Sequence, residues 1–206
     1  MTNNVKRIAV LVSGGGTNLQ ALIDAQNKGI IKSGKITLVV SNKPDAYALE
    51  RAKKAEIKTA VISKKELGGS QRAFENNLIT ILEDNKIDII VLAGFMVILS
   101  ERFTGTYPKR IINVHPSLIP SFCGEGFYGL RVHEAALKYG VKVTGATVHF
   151  VNEIPDGGEI IMQKAVSIRE NDTPETLQKR VMRLAEWKIL PLSVEKVCNE
   201  LIEKGN

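Results

Sequence analysis

Cysteine is scarce in this sequence. Only Cys123 and Cys198 occur, far apart and outside any C-x-x-C pair, which argues against a disulfide framework or a thiolate metal site and fits a reducing compartment. Histidine is almost as rare. His115, His133 and His149 form no H-E-x-x-H and no His/Cys cluster, so no metal is expected. No apolar run is long enough to span a bilayer, and no membrane partner is expected. The apolar stretch after Lys6 and Arg7 runs into glycines instead of a small-residue cleavage site. A signal peptide is therefore not expected, and a cytoplasmic location is. Also missing is a basic stripe interleaved with aromatics. The net charge of +6 is carried by lysines scattered through segments read as helical, such as Lys53, Lys54, Lys64, Lys65 and Lys138, so a solvated basic surface is expected and no nucleic-acid partner. No G-x-S-x-G elbow offers a nucleophilic serine, and no repeat or low-complexity tract is present.

What is present is a rhythm. Apolar runs at 7–12, 36–41, 58–63, 87–94 and 110–115 alternate with amphipathic stretches, of which 18–29 and 71–85 space Leu19, Leu22 and Ile23, then Phe74, Leu78, Ile81 and Leu82, on one helical face. Runs that are apolar throughout, instead of alternating, suit a parallel sheet covered on both faces. After residue 120 come a glycine- and aromatic-rich loop (121–130), a short helix (131–140), two longer strands (141–151 and 159–168) and a C-terminal helix from 173 to 205, expected to bend near Pro191. The expected fold is α/β: an open, mostly parallel Rossmann-like sheet with helices on both faces, extended by antiparallel strands and a C-terminal helix. Residues 1–206 are expected to form one domain with sub-regions 1–120 and 121–206.

Three places could carry chemistry. "SGGGTN" (13–18) lies between the first strand and first helix, where Gly14, Gly15 and Gly16 let backbone amides approach an anion at a helix N-terminus. Leu19 stands where G-x-G-x-x-G needs its third glycine, favouring a small phosphate ester over a dinucleotide. The plain alternative is a tight turn with Thr17 or Asn18 as helix cap. In "NVHPSLIPSF" (113–122), Asn113 and His115 are two apart on a strand and share a face, and Pro116 ends the strand where ligands collect in open α/β sheets. An amide donor beside an imidazole suits stabilisation of an oxyanion with proton transfer. As an isolated pair, they are better explained as a hydrogen-bonded core Asn and His. "PDGG" (155–158) offers the Asp156 carboxylate to orient or charge that imidazole, or merely a turn. His149, within a strand, reads as structural, and His133, on a short helix, as exposed. The apolar group after the fourth strand, Met96, Val97, Ile98 and Leu99, reads as core or as the wall of a flat aromatic pocket.

Taken together and in order, "SGGGTN", "VLAGFMVILS", "NVHPSLIPSF", "VTGATVHFV" and "PDGGEII" resemble the folate-dependent formyltransferase family, in particular its phosphoribosylglycinamide formyltransferases. The resemblance covers about residues 6 to 195. Chain length is expected to separate this sequence from the tRNA-acting and hydrolytic branches, which carry further domains. The resemblance implies Asn113, His115 and Asp156 as catalytic residues, Gly14 to Asn18 as the site of the substrate phosphate, and Glu186 as a contact to the glycinamide or ribose portion. It implies a folate pocket of Met96, Val97, Ile98 and Leu99 with Phe150, Val151, Asn152, Glu153, Ile154 and Pro155. An arginine that the family places near a folate carboxylate is Gln71 here, leaving adjacent Arg72 as the candidate, and the 121–130 loop is longer than in many members. Residues 1–120 thus become the phosphate-binding half and 121–206 the folate and catalytic extension. The implied reactants are 5′-phosphoribosylglycinamide and 10-formyltetrahydrofolate, the latter a co-substrate, handled by a monomer or homodimer.

Overall fold

The computed structural model describes residues 5–205. One seven-stranded sheet runs through them in the order β3-β2-β1-β4-β5-β6-β7. Strands β1 (Lys6–Val12), β2 (Gly34–Ser41), β3 (Lys58–Val61), β4 (Ile89–Leu92) and β5 (Ile111–His115) pair in parallel, and β6 (Val143–Phe150) and β7 (Ile160–Ser167) join antiparallel. This is the expected α/β class.

Alternation along β1 explains the two layers. Ile8, Val10 and Val12 pack into one core with residues of α1 (Thr17–Asn27), α2 (Tyr47–Lys54), α6 (Pro174–Val181) and α7 (Trp187–Glu203). Ala9 and Leu11 pack into the other, with Phe74, Leu78 and Leu82 of α3 (Gln71–Asp84) and Phe103 of α4 (Glu101–Thr106). Each large side chain so buried contributes about 1.5–3 kcal/mol of transfer free energy. Ser70 and Ser100 cap α3 and α4 by accepting from the Ala73 and Phe103 N–H groups. Helix α5 (Leu130–Tyr139) packs on α6. Cys198 is fully buried on α7, where burial pushes its thiol up to about 12.

Two local expectations need correction. The bent helix expected over 173–205 is instead α6, a π-helical turn at Met182–Glu186, and α7. Pro191 lies inside α7; it removes the N–H that would bond the Trp187 carbonyl, and the change of register sits just N-terminal to that point. Lys64 and Lys65 lie in a turn, not a helix.

The strand order fixes where a site can form. The chain leaves β1 toward α1 on one face and leaves β4 toward α4 on the other, so a crevice opens between their C-terminal ends. The Met96 N–H donates to Ser13 Oγ at 2.8 Å and ties the two loops there. Register pairs place Leu11, Leu92, Asn113 and His149 in one row across β1, β4, β5 and β6. Asn113 is therefore two strand spacings, roughly 10 Å, from β1.

Candidate active site

Ile112 and Val114 of β5 enter the first core, so Asn113 and His115 face the opposite way. On β6, Ala146 and Val148 enter that same core, which leaves Thr147 and His149 beside them. Asn113 pairs with His149 and His115 with Thr147. The loop after β6 brings in Asp156 at φ +56, a left-handed conformation that Asp tolerates better than most residues.

Asp156 is the hub. Its Oδ2 accepts the Gly124 N–H at 2.9 Å and lies 3.3 Å from His115 Nδ1. Its Oδ1 lies 3.5 Å from His149 Nε2 and accepts from Asn113 Nδ2 at 3.4 Å. Burial alone would raise the Asp156 carboxyl, but the His149 ring, the charge of His115 and the Gly124 N–H outweigh it and hold it below the usual range. The carboxylate is ionised.

His115 is 4% exposed. Its Nε2 lies 2.8 Å from the Phe122 carbonyl oxygen, and with Nδ1 toward Asp156 each ring nitrogen faces an acceptor. Only the imidazolium satisfies both contacts. Burial pulls the pKa below the ordinary histidine value; Asp156 and the Phe122 carbonyl oppose that pull, and His149 adds to it.

One histidine expectation fails and one needs extending. His149, 1% exposed, is buried in its strand as expected and also touches the candidate site. Asn113 Nδ2 approaches its Nε2 at 3.1 Å, while its Nδ1 lies 2.8 Å from the Phe150 carbonyl oxygen. A proton on Nδ1 serves the Phe150 carbonyl, while Nε2 lies between the Asn113 amide and the Asp156 carboxylate. His133 is fully buried, not exposed, and neither ring nitrogen has a hydrogen-bond partner. Burial, with His115 nearby, pushes it down to about 4.

The glycines of "PDGG" serve close approach. A nine-residue connection, 151–159, separates β6 from β7, so this is no two-residue hairpin. A Cβ on Gly158 would stand 1.8 Å from the Phe150 carbonyl oxygen. Gly158→Ala is therefore expected to displace the loop carrying Asp156, costing at least about 1–3 kcal/mol by overpacking. A thermal melt together with an activity assay checks this; an unchanged melt would show that the loop has room.

At the glycine turn, Gly16 is the N-cap of α1 with φ 69, and no side chain caps the helix. Neither Thr17 nor Asn18 caps it, so the first-turn N–H groups are left for a ligand or water. The Gly14 carbonyl accepts from Ala48 N and the Gly15 carbonyl from Arg51 Nε, at 3.0 and 2.8 Å. A Cβ on Gly16 would come 2.6 Å from Ala48 Cβ. Asn18 Nδ2 instead donates to Glu186 Oε2 at 2.8 Å, while Asn18 Oδ1 is buried without a partner. Glu186, at the end of the π turn, is 6% exposed, and burial pushes its carboxyl up to about 7 against the Asn18 amide.

The folate-side candidates divide. Met96, Ile98 and Ile154 are exposed, at 52%, 68% and 57%, and present apolar surface at the sheet's carboxyl edge. Val97, Phe150, Val151 and Asn152 are half-buried, and Glu153 and Pro155 are exposed. Leu99 is 6% exposed and belongs to the core under α3 and α4, which corrects its assignment to a pocket wall. Arg72 is exposed on α3. The cation beside Gln71 is Lys64, whose Nζ donates to Gln71 Oε1 at 2.9 Å, while Gln71 Nε2 donates to the Ile98 carbonyl at 3.0 Å. Among the described residues, no group of three or more His, Cys, Asp or Glu is arranged to hold a metal ion, and no helix is long and apolar enough to cross a membrane.

The formyl transferase family model matches residues 6–194, a span that holds the glycine turn, Asn113, His115, Asp156 and Glu186. The chain belongs to the formyl transferase family. It is 42% identical to the phosphoribosylglycinamide formyltransferase of Haemophilus influenzae, over 93% of this chain and 86% of that one. It is 45% identical to the human trifunctional purine biosynthetic protein adenosine-3 over 97% of its length, but spans only 19% of that larger protein. The crystal structure of glycinamide ribonucleotide transformylase 1 from Symbiobacterium toebii matches with a TM-score of 0.89 and 38% identity, over 97% of this chain and 90% of that one. In this formyl transferase the sheet continues from the glycine turn to Asp156's neighbours without a break.

Proposed function

We propose that this chain transfers a formyl group from 10-formyltetrahydrofolate to the primary amine of 5′-phosphoribosylglycinamide. The products are N-formylglycinamide ribonucleotide and tetrahydrofolate, a step of purine biosynthesis. The observation that carries the reading is the convergence of Asn113, His115 and Asp156 at the edge of the sheet, two strands from an uncapped glycine turn. The names of relatives over nearly the whole chain support formyl transfer to the same nucleotide.

In this reading the substrate phosphate rests on the N-terminal amides of α1, with Asn18 and Glu186 meeting the donors of the ribose or glycinamide. Folate is consumed as co-substrate, its apolar ring against Met96, Ile98 and the 150–155 segment. The amine lone pair attacks the formyl carbon, and the carbonyl electron pair moves onto oxygen. The Asn113 amide donates to that oxygen, as does the His115 Nδ1–H, shared with Asp156 from its long 3.3 Å contact, while Nε2 stays on the Phe122 carbonyl. The 3.4 Å contact from Asn113 to Asp156 is the weaker of the amide's two and is the one given up. The bond from carbon to N10 then breaks, the electron pair on oxygen re-forms the carbonyl, and the proton lost by the amine reaches N10 through His115 and Asp156, directly or by water. Each well-placed oxyanion donor is worth about 3–4 kcal/mol, and alignment of two bound reactants contributes several more.

Thr17→Val and Asn18→Ala are expected to raise KM for the nucleotide about tenfold while leaving kcat within a few-fold, since they remove ground-state contacts. An unchanged Kd by calorimetry would count against the phosphate site. The proposal as a whole is tested by incubating the chain with both substrates, following loss of the folate formyl group and identifying the nucleotide product by mass. Formyl loss that is independent of the nucleotide, or no loss at all, would refute it.

The same reading takes the protein as a cytoplasmic monomer or homodimer acting on small molecules. Free thiols at Cys123 and Cys198 support a reducing compartment, and the continuous sheet supports a single domain.

A further inference from the structure

We propose that Phe122 and Tyr139 are positioning residues, an aromatic latch that holds the 122–124 backbone where it fixes His115 and Asp156. The proposal rests on the formyl-transfer reading. Neither reactive side chain takes its orienting backbone bond from the sheet. His115 Nε2 meets the Phe122 carbonyl oxygen at 2.8 Å, and Asp156 Oδ2 accepts from the Gly124 N–H at 2.9 Å. One short stretch of loop thus anchors both.

That stretch adopts an unusual conformation. Phe122 has φ +50, a left-handed value that its glycine neighbours Gly124 and Gly126 reach without strain. A glycine at 122 would take up the backbone angle freely, so the phenyl ring has to offset the strain by what it contacts. Those contacts are aromatic. The Phe122 ring stands edge-on to Tyr139 at 5.9 Å and to Phe127 at 6.4 Å, the geometry that ring quadrupoles favour. Tyr139 is the last residue of α5 and is 80% exposed. Its ring is no part of the core, and its described ring partner is the residue whose carbonyl faces His115.

Loosening the latch removes a contact that favours the charged ring. The other groups bearing on His115 stay: Asp156 from the loop after β6, His149 from β6 and neutral His133 from α5, with Cys123 facing Asp156. The sign follows. The Phe122 carbonyl raises the His115 pKa, so its loss lowers it, and turnover that needs the imidazolium falls away at a lower pH than in the parent protein.

The test compares Tyr139→Ala, Tyr139→Phe and Phe122→Gly in the full chain. Tyr139→Ala is expected to lower kcat about tenfold with little change in the nucleotide KM, as for a mispositioned catalytic group, and to move the alkaline limb of kcat to lower pH. Tyr139→Phe, which keeps the ring, restores both. Phe122→Gly, which relieves the backbone but loses the ring, shows the same kcat loss without a lower melting temperature. Wild-type kcat and an unmoved pH profile in Tyr139→Ala would overturn the latch, as would a Tyr139→Phe variant as impaired as the alanine. Histidine titration by ¹⁵N NMR follows His115 without any reaction. A lowered His115 pKa in Tyr139→Ala upholds the latch even if the chain proves to transfer no formyl group, and an unmoved one refutes it independently.

Discussion

His115→Ala is expected to fold normally and to transfer formyl groups about two to four orders of magnitude more slowly, the loss seen when an oxyanion donor that also moves a proton is removed. The backbone of β5 does not depend on the imidazole, being paired with β4 on one side and β6 on the other. Asp156, deprived of the ring, keeps the Gly124 N–H, the Asn113 amide and His149 around it. A buried carboxylate left with such partners costs far less than one left alone. Steady-state kinetics and a circular-dichroism melt on the same sample separate the outcomes. Turnover within a few-fold of the parent would remove His115 from the chemistry.

Glu186→Gln is expected to stabilise the fold above neutral pH while weakening the nucleotide site. Glu186 titrates near 7 in the folded chain against an ordinary value of 4.5. Its folded pKa is raised, so the favourable contribution is complete below about pH 4.5 and is lost as pH climbs toward 7. The rise from 4.5 to about 7 corresponds to roughly 3 kcal/mol. Glutamine carries no charge and escapes the loss, while its oxygen can still accept from Asn18. Urea midpoints of the two proteins are therefore expected to diverge between pH 4.5 and 8 and to coincide below. Equal midpoints at pH 8 would mean that the carboxylate is stabilised by something other than Asn18. The nucleotide KM is expected to rise about tenfold in the same variant, since a donor on the substrate loses its charged acceptor. A group that lowers stability where the protein works has a reason to be there in the ligand.

Most of the sheet was legible because a strand covered on both faces is apolar throughout, and all seven strands were expected close to their observed ends. Helix α4 was not, and α2 was read as helical only at Lys53 and Lys54, without bounds. At eight and six residues they are too short for a 3.6-residue period to stand out, and Gly105 interrupts the second. The π turn was invisible since "VMRLAEW" reads as ordinary helix, and only the crowding of Pro191 hints at a shifted register. Within the site, Asn113 and His115 could be paired by strand alternation alone. The same alternation in "TGATVHF" sets His149 apart from the core residues Ala146 and Val148 and could have found it. His133 shares a helical face with Ala136, at i+3, which is the signature of a buried side. Asp156 was beyond local reading, since nothing in "PDGG" says which strand end its carboxylate will meet. The Asn18–Glu186 bond joins residues 168 apart and follows from no local pattern.

The site is assembled from positions 113, 115, 124, 149 and 156, and no short stretch holds it. Closing such separated segments requires both antiparallel strands and the intervening loop to have found their places, and contacts of this kind form late when a chain refolds. Recovered enzyme activity after dilution from denaturant will therefore lag behind the far-ultraviolet signal of the parallel half, and a preparation judged by its spectrum alone can be structured yet inert.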